Sequence, residues 1–235
     1  MMAQRNDPWD AQSAILSPEP HTPLNAHELF EEFTAYVELH AEFETAKEQE
    51  MISHLLDFGR LVRQGNRTWT RRQLAEIIRW KNMHTLKAKI EQAPNIESSL
   101  ADAFRIKDQE DGMDALCRIP GIGPVLTSVL LTLTFPERYA PLDIHAWNGL
   151  WRLGFEFERR TFSGGGYTIA ELIQYEKAVI ALARVLGETP WETAKALHAL
   201  DQVCLSTPWK HKLEALKTTN LVPRALPLTL PMSQR

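Results

Sequence analysis

The sequence predicts an all-α protein, and three observations carry that expectation. Apolar residues recur every three or four positions through most of the chain, the spacing that puts them on one face of a helix. Helix-start signatures recur as well: Asn25 with Glu28, Thr70 with Gln73, Thr168 with Glu171, and Thr189 with Glu192. In each, a short polar side chain precedes by three residues a Glu or Gln that reaches back to the exposed amides of the first turn. No segment alternates apolar and polar residues over the length of a strand. The 235 residues suffice for one large core or for two lobes sharing a cleft.

Residues 1–25 mix Pro, Ser, Asn and Asp without periodicity and are expected to be disordered. Residues 26–66 read as an acidic helical segment. Leu29, Phe33, Tyr36, Val37, His40 and Phe43 share a helical face, and Ile52 to Val62 continues the pattern until "RQGNRTW" breaks it. The main helical domain is expected over 67–218. It opens with the helical pattern "TRRQLAEIIRWKNMHTLKAKIEQ", followed by shorter helices over 95–106 and 109–118. Helix 124–134 carries one apolar stripe of Leu126, Val129, Leu130 and Leu133. A glycine-rich connector over 161–168 leads to a helix ending at Leu186. Thr189 caps the next helix with Pro190 at its first position, where a missing N–H costs nothing. "TPWKHKLEAL" at 207–216 starts in the same way, and 219–235 reads as a Pro-rich tail.

Several function classes drop out. No apolar run approaches the ~18–20 residues a membrane helix requires, and the N-terminus lacks a basic patch followed by an apolar stretch, so a cytoplasmic protein is expected. Cys117 and Cys204 are the only cysteines, too few for a four-thiolate cluster. The eight histidines show no pair at metal-ligand spacing beside an acid or cysteine, so neither metal nor cofactor is expected. "SGGG" at 163–166 lacks the Lys and preceding strand of a phosphate loop, and no nucleophilic triad is readable.

The net charge of −4 conceals an asymmetry. Residues 1–57 hold 12 acidic and 2 basic side chains, whereas residues 60–89 hold nine basic ones and a single acid, Glu76. Such a cluster attracts a polyanion; it would equally serve as a solvated helical face or pair with the acidic segment.

Two motifs point further. "IPGIG" at 119–123 sits between two expected helices. Gly121 and Gly123 permit positive φ and close backbone approach, and the amides of Gly121, Ile122, Gly123 and Val125 lie at or near the start of helix 124–134. That arrangement suits a phosphate oxygen without reading sequence, although a plain helix–helix loop uses the same residues. The second motif, "FPERYAPLDIHAWNGLWRLG", sets Asp143 18 positions beyond Val125 at the head of helix 144–152.

Bend, helix, Pro-containing loop and Asp together resemble the helix-hairpin-helix DNA glycosylase superfamily, endonuclease III type, over about residues 70–204. The resemblance implies a two-lobed helical fold with a cleft, a DNA partner gripped through its backbone, and Asp143 as the catalytic carboxylate. His145, in the position of the family's frequent Thr-His, would orient the acid or contact phosphate. Three departures narrow the implication. Val125 stands where members that also cut the backbone carry Lys, so no Schiff base is available there and a monofunctional enzyme is implied. The four-cysteine cluster of many relatives is absent, and Ile144 replaces the usual Thr.

Arg79, Trp80 and Lys81 combine a stacking surface with cations, suited to a flipped base or a phosphate, while an aromatic at helical spacing also serves a core. Trp147 and Trp151, four apart, are expected in the core. Asp201 is explained equally by a cleft wall or a charged helix surface. The expected function is excision of a damaged or modified base. The alternatives are a non-catalytic helix-hairpin-helix DNA-binding protein and a helical protein-interaction module.

Overall fold

The computed structural model describes residues 26–81, 83–161 and 166–220, and these fold as helices without a strand. In chain order they are α1 (Ala26–Glu42), α2 (Ala46–Arg63), α3 (Arg71–Trp80), α4 (His84–Gln92), α5 (Ile96–Ala103), α6 (Gln109–Cys117), α7 (Pro124–Thr134), α8 (Ile144–Arg152), α9 (Ile169–Leu186), α10 (Pro190–Leu205) and α11 (Thr207–Asn220). The all-α expectation holds. The expected disordered stretch 1–25 with its Asn25 cap, residues 162–165 of the connector, and the tail from 221 lie outside the described residues. α11 runs two residues into the segment expected as tail.

Two boundaries and one cap differ from the sequence reading for physical reasons. α2 starts six residues before Ile52, because Thr45 and Glu48 form a reciprocal cap. Glu48 N donates to the Thr45 hydroxyl at 3.2 Å, and Thr45 N donates to Glu48 Oε2 at 2.8 Å. The pattern over 71–92 is two helices. After Trp80 the chain turns: Lys81 N still donates to Ile77 O, and Met83 N donates to Ile78 O. The turn sends α4 back so that Ile90 is buried, and Arg71 donates to the carbonyls of Ile90, Glu91 and Ala93 at the far end of α4. Thr70 does not cap a backbone amide as expected; its hydroxyl meets the Gln73 side chain.

α10 lies at the centre of the part that matters here, packed against α8, α9, α1 and α11. Its Ala194, Ala196, Leu197, Ala199 and Leu200 are all buried, each full-sized side chain contributing roughly 1.5–3 kcal/mol by leaving water. Two glycines set the tightest crossings. A Cβ on Gly59 would lie 2.0 Å from Leu133 O, so α2 rests directly on the backbone of α7. A Cβ on Gly149 would lie 2.5 Å from Leu197 O, so α8 does the same on α10. The acidic helix α1 is part of this packing, with Phe33, Tyr36 and Leu39 buried and α10 and α11 beneath it.

The segment after α7 positions the site. Tyr175 donates its hydroxyl to Pro141 O at 3.0 Å, and Ala140 N donates to Glu176 Oε2 at 3.3 Å, both from α9. Leu142 N then donates to Ser128 Oγ at 2.8 Å, and Ser128 Oγ donates to Val125 O at 2.7 Å. The chain leaves the C-terminal end of α7 and folds back along it, so the residue before Asp143 is fastened to the helix's first turns.

Candidate functional site around Asp143

Asp143 is the N-cap of α8: its backbone is extended (φ −138°, ψ 168°) and its Oδ1 accepts from Ala146 N at 2.8 Å. Short acids are favoured there because they satisfy an amide that the helix leaves without an acceptor. The second oxygen is held from α10, where His198 Nδ1 lies 3.1 Å from Oδ2. A quarter of the Asp143 side chain reaches solvent, as does 22% of His198. Burial pushes the Asp143 carboxyl up. The His198 ring, by charge and hydrogen bond, together with Lys81 and His145, outweighs burial and holds it far below the usual carboxylate range. The group is an anion.

Two further histidine rings border the pair. His40 of α1 meets His198 edge-on with centroids 4.9 Å apart, and His145 meets it at 4.7 Å. His40 Nδ1 is 3.3 Å from Glu44 Oε1 without hydrogen-bond geometry. Burial and the neighbouring His40 and His145 push the His198 imidazole down, although Asp143 pulls it up. The net direction is toward a neutral ring. On the outer side Trp209 of α11 approaches His198 at 6.0 Å and stacks on Phe43 at 4.0 Å, nearly parallel.

His145 is braced. Its Nδ1 is 2.8 Å from Asp201 Oδ2, and its Nε2 is 2.7 Å from the Gln202 amide nitrogen. Asp201 is fully buried, which removes the surface-charge explanation, and its other oxygen accepts from Arg152 Nε at 2.6 Å. Thus α8 and α10 are joined by two acid–histidine pairs of opposite sense, Asp143 with His198 and Asp201 with His145.

Lys81 joins the site from the end of α3. Its ammonium lies 4.3 Å from the Trp80 ring centroid. Burial lowers its pKa while Asp143, Glu44 and Glu48 act in the other direction, and burial prevails. Trp80 is half-buried against the core and Arg79 is exposed. Among the expected site residues, Asp143, His145 and Lys81 are therefore brought together electrostatically. His40, Glu44 and His198 were not singled out from sequence. The available signal was the spacing on α10, where His198 and Asp201 stand three apart and face the two polar side chains Asp143 and His145.

At the bend, Gly121 has φ +87° and packs on α4, where an added Cβ would meet Ile90 Cγ1 at 3.0 Å and Lys89 Cβ at 3.2 Å. Ile122 is buried and donates its amide to Ile119 O at 2.9 Å, so it anchors the turn. Gly123 is the N-cap of α7, extended (φ −99°, ψ −179°), with open space where a Cβ would be. Having no side chain, it leaves the amides of Val125 and Leu126 uncapped from that position. Val125 is half-buried.

The basic cluster is largely paired locally. Arg60 meets Asp57, Arg63 meets Glu137, Arg72 meets Glu76 and Lys87 meets Glu91, while Arg71 is spent on α4. Lys89 stands beside the bend. Trp147 is buried as expected and Trp151 is partly buried, with Arg159 5.6 Å from its ring. An open cavity of about 450 Å³ lies next to Trp147, lined in part by Arg159, Arg160 and Gln174. Among the described residues no helix is long and apolar enough to cross a membrane, and no group of His, Cys, Asp and Glu is arranged to hold a metal ion.

Comparison of the chain with protein-family models, with curated proteins and with solved structures finds no match.

Proposed function

We propose that the protein binds duplex DNA through its phosphate backbone and hydrolyses the N-glycosidic bond of a damaged or modified base, with Asp143 as the catalytic carboxylate. The observation that carries this reading is the fastening of an ionised, partly exposed carboxylate to the helix that the glycine bend opens. Breaking a base–sugar bond builds positive charge on the deoxyribose, and a fixed anion in a poorly solvated site stabilises that charge. The bend supplies uncapped amides and the adjacent Lys89 a cation, both suited to a phosphate. The base would leave its stack to reach the acid, between the part of the chain carrying the bend and the part carrying α1, α10 and α11. With Val125 in the first turn of α7, no amine is offered there, and the reaction ends at base release.

A second reading is favoured by one observation: both Asp143 oxygens already have protein partners, as they would in a purely structural cap. That reading is a DNA-binding protein of the same architecture without turnover. The test begins with duplex binding against salt, since displaced counterions make phosphate-borne affinity fall steeply. Duplexes carrying a panel of altered bases are then incubated with the protein and treated with alkali to reveal abasic sites. Cutting that disappears in Asp143→Asn while affinity persists supports the enzyme. Salt-sensitive binding without cutting leaves the non-catalytic reading, and no binding leaves a protein-interaction module.

A further inference from the structure

A carboxylate can only accept, so the 3.1 Å contact between Asp143 Oδ2 and His198 Nδ1 requires the proton to be on Nδ1. A neutral ring then has its second nitrogen, Nε2, as a lone pair. His198 sits on α10, the most deeply packed helix of the site, and its position is fixed on three sides. Asp143 holds Nδ1, His40 meets the ring edge-on at 4.9 Å, and His145 meets it at 4.7 Å, itself pinned by Asp201 and Gln202. An imidazole oriented by a fixed carboxylate and left with a free basic nitrogen is the arrangement that takes a proton from a reacting hydroxyl.

We infer that His198 is a second catalytic residue, the general base that activates the attacking water, and that Asp143 fixes its tautomer as well as facing the sugar. The inference rests on the glycosylase reading. In the step, a water O–H bond breaks and its proton goes to His198 Nε2. The water oxygen forms a bond to C1′ while the C1′–N bond breaks, its electron pair leaving on the base. The proton on the imidazolium then passes to the departing base through solvent, so one water is consumed and the protein is restored. The titratable groups acting on this ring are Asp143, the N-cap of α8, His145 from α8 and His40 from α1. Lys81, just past the end of α3, acts on Asp143, and Glu44, in the turn between α1 and α2, lies beside His40. From α11 it meets the Trp209 ring.

The test has two arms on the full chain. In protein labelled with ¹⁵N-histidine, with His198→Gln used for assignment, the His198 ring at pH 7 is expected neutral with the proton on Nδ1. A ring protonated on Nε2, whether as the other tautomer or as imidazolium, overturns the inference without touching the glycosylase reading. In single-turnover base release from a duplex that the wild type opens, His198→Gln keeps a donor for Asp143 and lacks the basic nitrogen. It is expected to bind the duplex as the wild type does, react at least about 100-fold slower, and lose the acid-side fall of the pH profile. An unchanged rate and profile overturns the inference alone. No release by wild type from any duplex overturns the reading and the inference together.

Discussion

Asp201 Oδ1 and Arg152 Nε lie 2.6 Å apart in a place where the acid has no exposed surface and the guanidinium almost none. Both charges were removed from water, so their worth lies in each other. Arg152 Nη1 is buried and finds no acceptor, which leaves the pair no reserve. Asp201→Ala is expected to cost about 3–5 kcal/mol, because it strands a buried cation, and to release His145. Urea unfolding monitored by far-UV circular dichroism measures it. A loss below about 1 kcal/mol would mean that the pair is solvated in solution.

The helix crossings make a paired prediction. Gly59→Ala puts a methyl against Leu133 O, which is backbone and cannot turn aside. The cost is expected at the upper end of the roughly 1–3 kcal/mol of overpacked cores, or beyond. Gly112, also helical, offers a control, since its added Cβ meets nothing nearer than Ile106 O at 3.8 Å. Gly112→Ala is expected to stabilise by about 0.5–1 kcal/mol through the lower chain entropy of the unfolded state. Thermal midpoints should move in opposite directions, and a shared direction would contradict the crossing geometry.

Glu176 sets a pH dependence. Burial pushes its carboxyl well above the usual range, more than the Ala140 amide lowers it, and Oε1 has no partner. The folded protein therefore keeps a proton that the unfolded chain releases near pH 4.5. Its contribution is complete below that pH and is lost as pH rises toward the folded value, at about 1.4 kcal/mol per pH unit. Glu176→Gln should match wild type at pH 4 and exceed it increasingly above pH 5. Subtracting the two stability profiles isolates Glu176 from His198, whose lowered pKa acts with the opposite sign below its usual 6.5. A flat difference profile would show that Glu176 ionises freely.

The helices most legible in the sequence were those with local stops. Pro124 and Asp143 start α7 and α8 where expected, and Thr168 with Glu171 and Thr189 start α9 and α10. The break after Trp80 left no trace, because its cause is the docking of α4 against Arg71 and Gly121, contacts 19 and 31 residues away in sequence from Arg71 and Ile90 respectively. Around the candidate site, Asp143 as a helix start and the glycine turn before α7 were readable locally. His198 was not, since its partner lies 55 residues away and an isolated histidine on a helix carries no signature. His40 was hidden further, in a segment whose acidity said nothing about which face of α10 it would cover.

The bend itself separates fold from binding. Gly121→Ala meets Ile90 and Lys89 and forces an alanine to φ +87°, so it should destabilise the protein by about 1–3 kcal/mol whatever the ligand. Gly123→Ala keeps an ordinary extended backbone and adds a methyl in open space, so stability should be unchanged. If a phosphate approaches the amides that Gly123 leaves uncapped, that methyl stands in its path, and duplex affinity should fall. Lys89→Ala should weaken binding equally for all duplex sequences and reduce the magnitude of the log–log salt slope by about 1, the signature of one lost phosphate contact. Fluorescence anisotropy over a salt series measures all three proteins. Unaltered affinity in Gly123→Ala, with an unaltered slope in Lys89→Ala, would remove the bend from the proposed DNA interface and leave it as a packing turn between α6 and α7.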